Sequence, residues 1–235
     1  MSNQRVAVVT GGTRGIGEAV ARRLAAEGFR VFISGRTDDS VRKALARFEK
    51  EGLGFGGFAA DARREEDQKR LVESAAREGG RLDVLVNNAG IGHFGPVDQL
   101  DPEKFREVLE TNLFGPFYAV RHAAPLMRKT GGGFIVNVAS LASVNPFAGG
   151  AAYNASKFGL LGFSEAAMLD LRHDGIRMAT VLPGSVATEF GHARGDAAWM
   201  LAPEDVAEAV ADLVRFPGRA IASRIDLRPS RPPKK

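Results

Sequence analysis

The stretch V-A-V-V-T-G-G-T-R-G-I-G (6–17) runs from a short apolar block into spaced glycines, and a helical pattern, G-I-G-E-A-V-A-R-R-L-A-A-E-G (15–28), begins before the glycines end. Four consecutive apolar residues predict a strand buried on both faces. Gly28 supplies the helix's stop signal. Between strand and helix, Gly11 permits a tight turn, Gly15 lets the backbone approach a phosphate, and Gly17 lets the helix pack closely on the strand. The helix N-terminus then offers free N–H groups and the positive end of its dipole to an anion. A glycine-rich turn without a ligand is the plain alternative. The strand before it and the helix after it favour the phosphate.

The same alternation continues along the 235 residues. Apolar strands are expected at 30–35, 55–61, 83–90, 134–140, 177–184 and 220–227, with helices at about 40–51, 64–78, 102–129, 152–173 and 203–215. Strands of this kind separated by helices predict a parallel sheet covered on both faces, an α/β doubly wound architecture. No linker, low-complexity run or solenoid repeat divides the chain, so one domain is expected over 1–235.

Composition narrows the chemistry. Hydrophobic residues make up 44% and charged residues 26%, as in ordinary globular domains. The chain has no cysteine, which excludes disulfides, thiolate catalysis and cysteine metal sites. The four histidines lack metal-ligand spacing, and no metal is expected. The net charge of +4 is spread out except in R-P-S-R-P-P-K-K (228–235), which reads as a solvated tail rather than a nucleic-acid arm. No apolar run reaches the roughly 18 residues of a membrane helix, and M-S-N-Q-R lacks the layout of a signal peptide, so a cytoplasmic protein is expected.

Y-N-A-S-K (153–157) places a phenol and an ammonium at i and i+4, on one helix face. Ser140 lies 153 − 140 = 13 residues earlier, at the end of the fifth strand, and T-N-L (111–113) puts Asn112 in the long helix. N-N-A-G (87–90) ends the fourth strand. The second strand ends in S-G-R-T (34–37), with Gly35 and Arg36 where a carboxylate would hold unphosphorylated ribose hydroxyls. A guanidinium there attracts a 2′-phosphate instead, and Arg14 is a second basic residue near it.

With these motifs the chain resembles the short-chain dehydrogenase/reductase family, whose glycine loop has the same Gly-x3-Gly-x-Gly spacing, and the resemblance runs from residue 6 to about 227. It implies a Rossmann fold with a seven-stranded, mainly parallel sheet. A cofactor half would cover 1–140, a catalytic and substrate half 141–227 and a basic tail 228–235. NADP is the implied cofactor, contacted by Gly11, Thr13, Arg14, Gly15, Ile16, Gly17, Arg36, Asp61, Ala62, Asn88, Ala89, Gly90, Tyr153, Lys157, Pro183, Gly184, Val186 and Thr188. Asn87 has two readings, cofactor contact and support of the sheet. The implied catalytic set is Asn112, Ser140, Tyr153 and Lys157. A phenol's ordinary pKa of about 10 is too high for easy exchange at neutral pH, and a nearby ammonium lowers it. Ser140 would polarise a carbonyl oxygen, and Asn112 would hold a water that links Lys157 to solvent.

The resemblance further implies a small-molecule carbonyl or alcohol substrate, here a 3-oxo or 3-hydroxy compound, and a homo-oligomer, dimer or tetramer, built on the long helices. Residues 189–202 are the expected substrate segment. Phe190, His192, Trp199 and Met200 are pocket candidates there, with His93, Phe94, Leu141, Asn145 and Phe147; each also reads as ordinary packing. An acyl-carrier-protein partner is the alternative, received by Arg128, Lys129 and Arg172, although I-D-L-R-P (225–229) departs from the ending usual in 3-oxoacyl reductases. A non-catalytic cofactor sensor commonly loses the tyrosine or the lysine; both are present here.

Overall fold

The apolar blocks become strands β1 (Val6–Val9), β2 (Arg30–Gly35), β3 (Gly56–Ala59), β4 (Val84–Asn87), β5 (Gly133–Val138), β6 (Ile176–Pro183) and β7 (Arg224–Leu227) in a computed structural model that describes residues 4–190 and 198–233. They form one sheet in the order β3-β2-β1-β4-β5-β6-β7, and every pairing is parallel. The expected sheet was mainly parallel; among the described residues it is wholly so. The last strand is shorter than 220–227, because only residues from Arg224 onward pair with β6.

The helices are α1 (Gly15–Ala26), α2 (Asp38–Lys50), α3 (Glu65–Gly79), α4 (Pro102–Leu109), α5 (Gly115–Lys129), α6 (Ala151–Leu171) and α7 (Pro203–Arg215). Successive strand residues point to opposite faces. Ala7, Val9, Val31, Ile33, Val84 and Val86 therefore pack with Leu24, Phe48 and Val210 of α1, α2 and α7. Val6, Val8, Phe32, Leu85 and Ile135 pack with Leu71, Ala123 and Leu171 of α3, α5 and α6 on the other face. The named side chains are buried on both faces, and each large one stabilises the fold by about 1.5–3 kcal/mol.

The sequence predicts one continuous helix over 102–129. The structure interrupts it with a π-helical turn, Glu110–Phe114, where the Gly115 N–H reaches back five residues to the Glu110 carbonyl. Pro116 is the cause. It has no N–H, so the Asn112 carbonyl cannot receive the i+4 bond that an α-helix would supply. Among the described residues, no helix is long and apolar enough to cross a membrane.

Candidate active site

The strand order reverses direction between β1 and β4, and the crevice at the C-terminal ends of those strands is where an open sheet of this kind takes a ligand. The glycine loop enters it from β1. Gly15 has φ +56°, a left-handed conformation that favours glycine, and a Cβ there would point toward Thr188, 3.5 Å from its Cγ2. A Cβ at Gly17 would lie 2.3 Å from the Gly11 carbonyl oxygen and 2.4 Å from Asn88 Nδ2. The loop is thus closed up on the protein side and open toward Thr188. Thr13, Ile16 and the N-terminus of α1 border this glycine cradle.

Asn88 braces this loop: its Nδ2 donates to the Thr10 and Gly11 carbonyls at 3.0 and 3.2 Å. Thr10 Oγ1 accepts from the Asn88 and Ala89 N–H groups at 3.0 and 3.1 Å. Arg47 of α2 adds a donor to the Thr13 carbonyl at 3.0 Å. Neither Thr10 nor Arg47 was legible as part of the site, since both act across 34 or more residues. Asn87 takes the sheet-supporting reading: it stands opposite Asn137 in register and its Nδ2 donates to Asn137 Oδ1 at 2.8 Å.

Arg36 is exposed at the end of β2 and close enough to Asp61 to help lower that carboxyl's pKa. The larger cause is Arg63, which grips both Asp61 oxygens. Ala62 sits against the start of α5, where a Cβ on Gly115 would meet its carbonyl oxygen at 2.9 Å. Arg14 does not join Arg36. It forms an ion pair with Glu189 across the crevice, both side chains about three-quarters exposed.

Behind the loop, α6 carries Tyr153 and Lys157 on one face, with Lys157 Nζ 5.7 Å from the phenol ring's centroid. Ser140 caps the short 3-10 turn Leu141–Ser143, accepting from the Ala142 N–H at 3.1 Å, and its hydroxyl lies 3.5 Å from the Pro183 carbonyl oxygen. Asn112 is fully buried. Its Oδ1 accepts from the Ile91 N–H and its Nδ2 donates to the Ile91 carbonyl, both at 2.9 Å, while Nδ2 also donates to Ser156 Oγ at 3.0 Å. Gly90 lies between Asn112 and Lys157: a Cβ there would come 3.3 Å from Asn112 Oδ1 and 3.8 Å from Lys157 Nζ. The structure therefore brings all four expected catalytic residues to one wall of the crevice.

The electrostatics differ from the expectation for Tyr153. Burial pushes the phenol above its ordinary pKa, and a hydrogen bond with Ser140 works in the opposite direction. Lys157 Nζ donates to the Val138 carbonyl at 3.0 Å, and burial lowers its ammonium to about 8. Desolvation disfavours the charged form of each group.

Residues 183–188 form the crevice's other lip. The Gly184 N–H donates to the Leu227 carbonyl at 2.8 Å, and Val186 bridges to Leu201. The substrate candidates separate. Phe94 and Phe190 stand against Tyr153, and Phe147 against Phe94. Leu141 packs toward Gly184, Asn145 is exposed, and Trp199 and Met200 are partly buried beyond Thr188. His93 is engaged by Glu107, 3.1 Å away. His192 and the rest of 191–197 lie outside the described residues. Asn154 and Ser156 tie the segment down: Asn154 Nδ2 donates to the Ala142 carbonyl at 2.8 Å, and Ser156 Oγ to the Tyr153 carbonyl at 2.8 Å.

A family model described as short chain dehydrogenase matches residues 5–199. Over 190 residues the chain is 38% identical to dehydrogenase/reductase SDR family member 4 of Oryctolagus cuniculus, covering 80% of this chain and 73% of that one. It is 39% identical over 188 residues to a putative ketoacyl reductase of Streptomyces coelicolor, covering 79% and 72%. Among solved structures, an alcohol dehydrogenase from the archaeon Thermococcus sibiricus, complexed with 5-hydroxy-NADP, superposes with a TM-score of 0.89 at 28% identity, covering 99% of this chain and all of that one. A family match that runs from the first strand past the sixth, joined to relatives this similar over four-fifths of the chain, leaves no room for chance: the chain belongs to the short-chain dehydrogenase family.

Proposed function

We propose that the protein is an NADP(H)-dependent oxidoreductase that interconverts a carbonyl and a secondary alcohol, with Tyr153 as its acid–base group and a small 3-oxo or 3-hydroxy compound as its substrate. The observation that carries this reading is the single wall on which Ser140, Tyr153, Lys157 and Asn112 meet, opening onto the glycine cradle. Gly11, Thr13, Gly15, Ile16 and Gly17 would hold the pyrophosphate. Arg36 would hold the 2′-phosphate, with Arg14 available once it leaves Glu189. Asp61 and Ala62 would border the adenine, Ala89 and Gly90 the ribose, and Pro183, Gly184, Val186 and Thr188 the carboxamide. The bound nicotinamide supplies hydride for reduction and accepts it for oxidation.

The protein's own groups manage the proton. Ser140 holds the carbonyl oxygen and stabilises the charge that develops there. Tyr153, a phenol whose pKa burial pushes up, gives its proton to that oxygen. Lys157 exchanges protons readily because its ammonium sits at about 8, and it would also hold ribose hydroxyls. Asn112, whose carbonyl loses its i+4 donor because Pro116 has no N–H, would hold the water that returns protons from solvent. The test is NADPH oxidation followed by absorbance against a panel of ketones, with the Tyr153→Phe variant alongside. Turnover that survives in the variant refutes the assignment.

A 3-oxoacyl-acyl-carrier-protein reductase is the second reading, supported by the ketoacyl reductase likeness. The basic surface it needs is reduced, because Arg128 is paired with Asp174 at 2.7 Å, leaving Lys129 and Arg172. For assembly we favour a homotetramer or dimer. Phe114, Phe117 and Phe158, on the π-turn, α5 and α6, expose apolar surface suited to a second copy. We place the protein in the cytoplasm, as one domain with 228–235 as its tail.

A further inference from the structure

Two phenylalanine rings flank Tyr153 and a third packs on one of them, and the proton chemistry uses none of the three. Phe94 follows β4, Phe147 precedes α6, and Phe190 follows Thr188, so three separate stretches of chain deliver them. The Phe94 and Phe190 ring centroids each lie 5.7 Å from that of Tyr153, and Phe94 and Phe147 are 6.0 Å apart. Interplanar angles of 61°, 46° and 44° leave the rings tilted around a common space rather than stacked shut. Each ring is 45–48% exposed. A lone exposed phenylalanine needs no explanation, but three linked ring to ring beside Tyr153 make an apolar patch of the kind that marks a ligand site.

The backbone is shaped to bring them there. A Cβ on Gly92 would meet Phe94 Cζ at 2.6 Å and Phe190 Cζ at 3.2 Å, so both ring tips converge over that glycine. A Cβ on Gly150 would meet the Phe147 ring at 2.6 Å. Asn154, next to the tyrosine, accepts from the Phe147 N–H at 3.4 Å and ties that loop to α6. The Phe190 N–H donates to Thr188 Oγ1 at 3.3 Å. The neighbouring polar side chain, His93, is held by Glu107.

We propose that these rings form an aryl-binding cup, and that the substrate is a ketone whose aromatic ring is attached directly to, or one methylene from, the carbonyl carbon. Tilted phenyl faces and edges complement another arene beyond simple area burial, through the quadrupoles of the rings. An aryl group seated among them leaves its carbonyl oxygen beside Ser140 and Tyr153. The assignment rests on the reductase reading above.

The experiment compares shape-matched pairs with NADPH: ethyl 3-oxo-3-phenylpropanoate against ethyl 3-cyclohexyl-3-oxopropanoate, and 1-phenylethanone against 1-cyclohexylethanone. The expected kcat/KM favours each phenyl member by about tenfold. Phe94→Leu and Phe147→Leu, which keep apolar bulk but remove a ring, should each cut that ratio by about threefold, with NADPH affinity by fluorescence titration reporting that the variants are folded. Equal or better turnover of the cyclohexyl members overturns the cup and leaves the reductase reading standing. So does a ratio unchanged in both variants. No NADPH oxidation with any ketone removes the reductase reading, and the cup with it.

Discussion

Lys157→Met is expected to make the protein more stable while disabling it. The lysine is 5% exposed, and burial lowers its ammonium from 10.5 to about 8. That displacement corresponds to roughly 3 kcal/mol of cost to the folded state wherever the lysine is charged. Methionine fills similar space without charge. It leaves the Val138 carbonyl without its donor, which takes back about 1 kcal/mol. The net gain at pH 7 is about 2 kcal/mol, or roughly 4–8 °C in Tm for a chain of this size. The sign follows from linkage. Below a folded pKa of about 8 the lysine is charged in both states and the cost is fully present. Between about 8 and 10.5 the unfolded chain binds more protons, so wild-type stability rises with pH relative to the variant. The stability difference should therefore shrink from pH 7 to pH 10, measured by thermal unfolding at matched protein concentration. A variant less stable than wild type at pH 7, or a difference independent of pH, refutes the reasoning. The same variant should lose most of its reductase turnover, so that the site holds a charge at the expense of stability.

Other residues give sharper or simpler tests. Gly17→Ala forces a Cβ to within 2.3 Å of a backbone carbonyl; it should destabilise the fold by about 1–3 kcal/mol and weaken NADPH binding, read by unfolding and by fluorescence titration. Arg36→Ala should raise KM for NADPH about tenfold or more and leave KM for NADH nearly unchanged, because only the 2′-phosphate contact is lost. Light scattering should give a mass two or four times the 25.1 kDa chain; a monomer contradicts the oligomer proposed from α5 and α6.

Local signals made the fold legible. Strand and helix periodicity, and the glycines at 11, 15 and 17, report on neighbours within a turn or two. What the sequence hid depends on distant partners. Ser156 gains its place in the site only from Asn112, 44 residues away, which donates to it. Arg14 reads as a phosphate ligand until Glu189, 175 residues away, takes it. The break in the long helix had a local cause, Pro116, but its effect falls four residues upstream, on the carbonyl of Asn112. The environment of Tyr153 was the subtler miss. The i, i+4 spacing placed an ammonium near the phenol, whereas the desolvation that pushes the phenol up depends on the tertiary packing around it.

The central claim is that Tyr153 moves the proton. The most direct measurement is single-turnover reduction of ethyl 3-oxo-3-phenylpropanoate and its cyclohexyl counterpart by wild type and Tyr153→Phe, with NADPH affinity measured on both proteins. The account predicts a loss of about 10²–10⁴ in rate for whichever ketone is reduced, with NADPH affinity changed little, as removal of a general acid requires. A variant that binds NADPH and still reduces the ketone within about tenfold of wild type would contradict it.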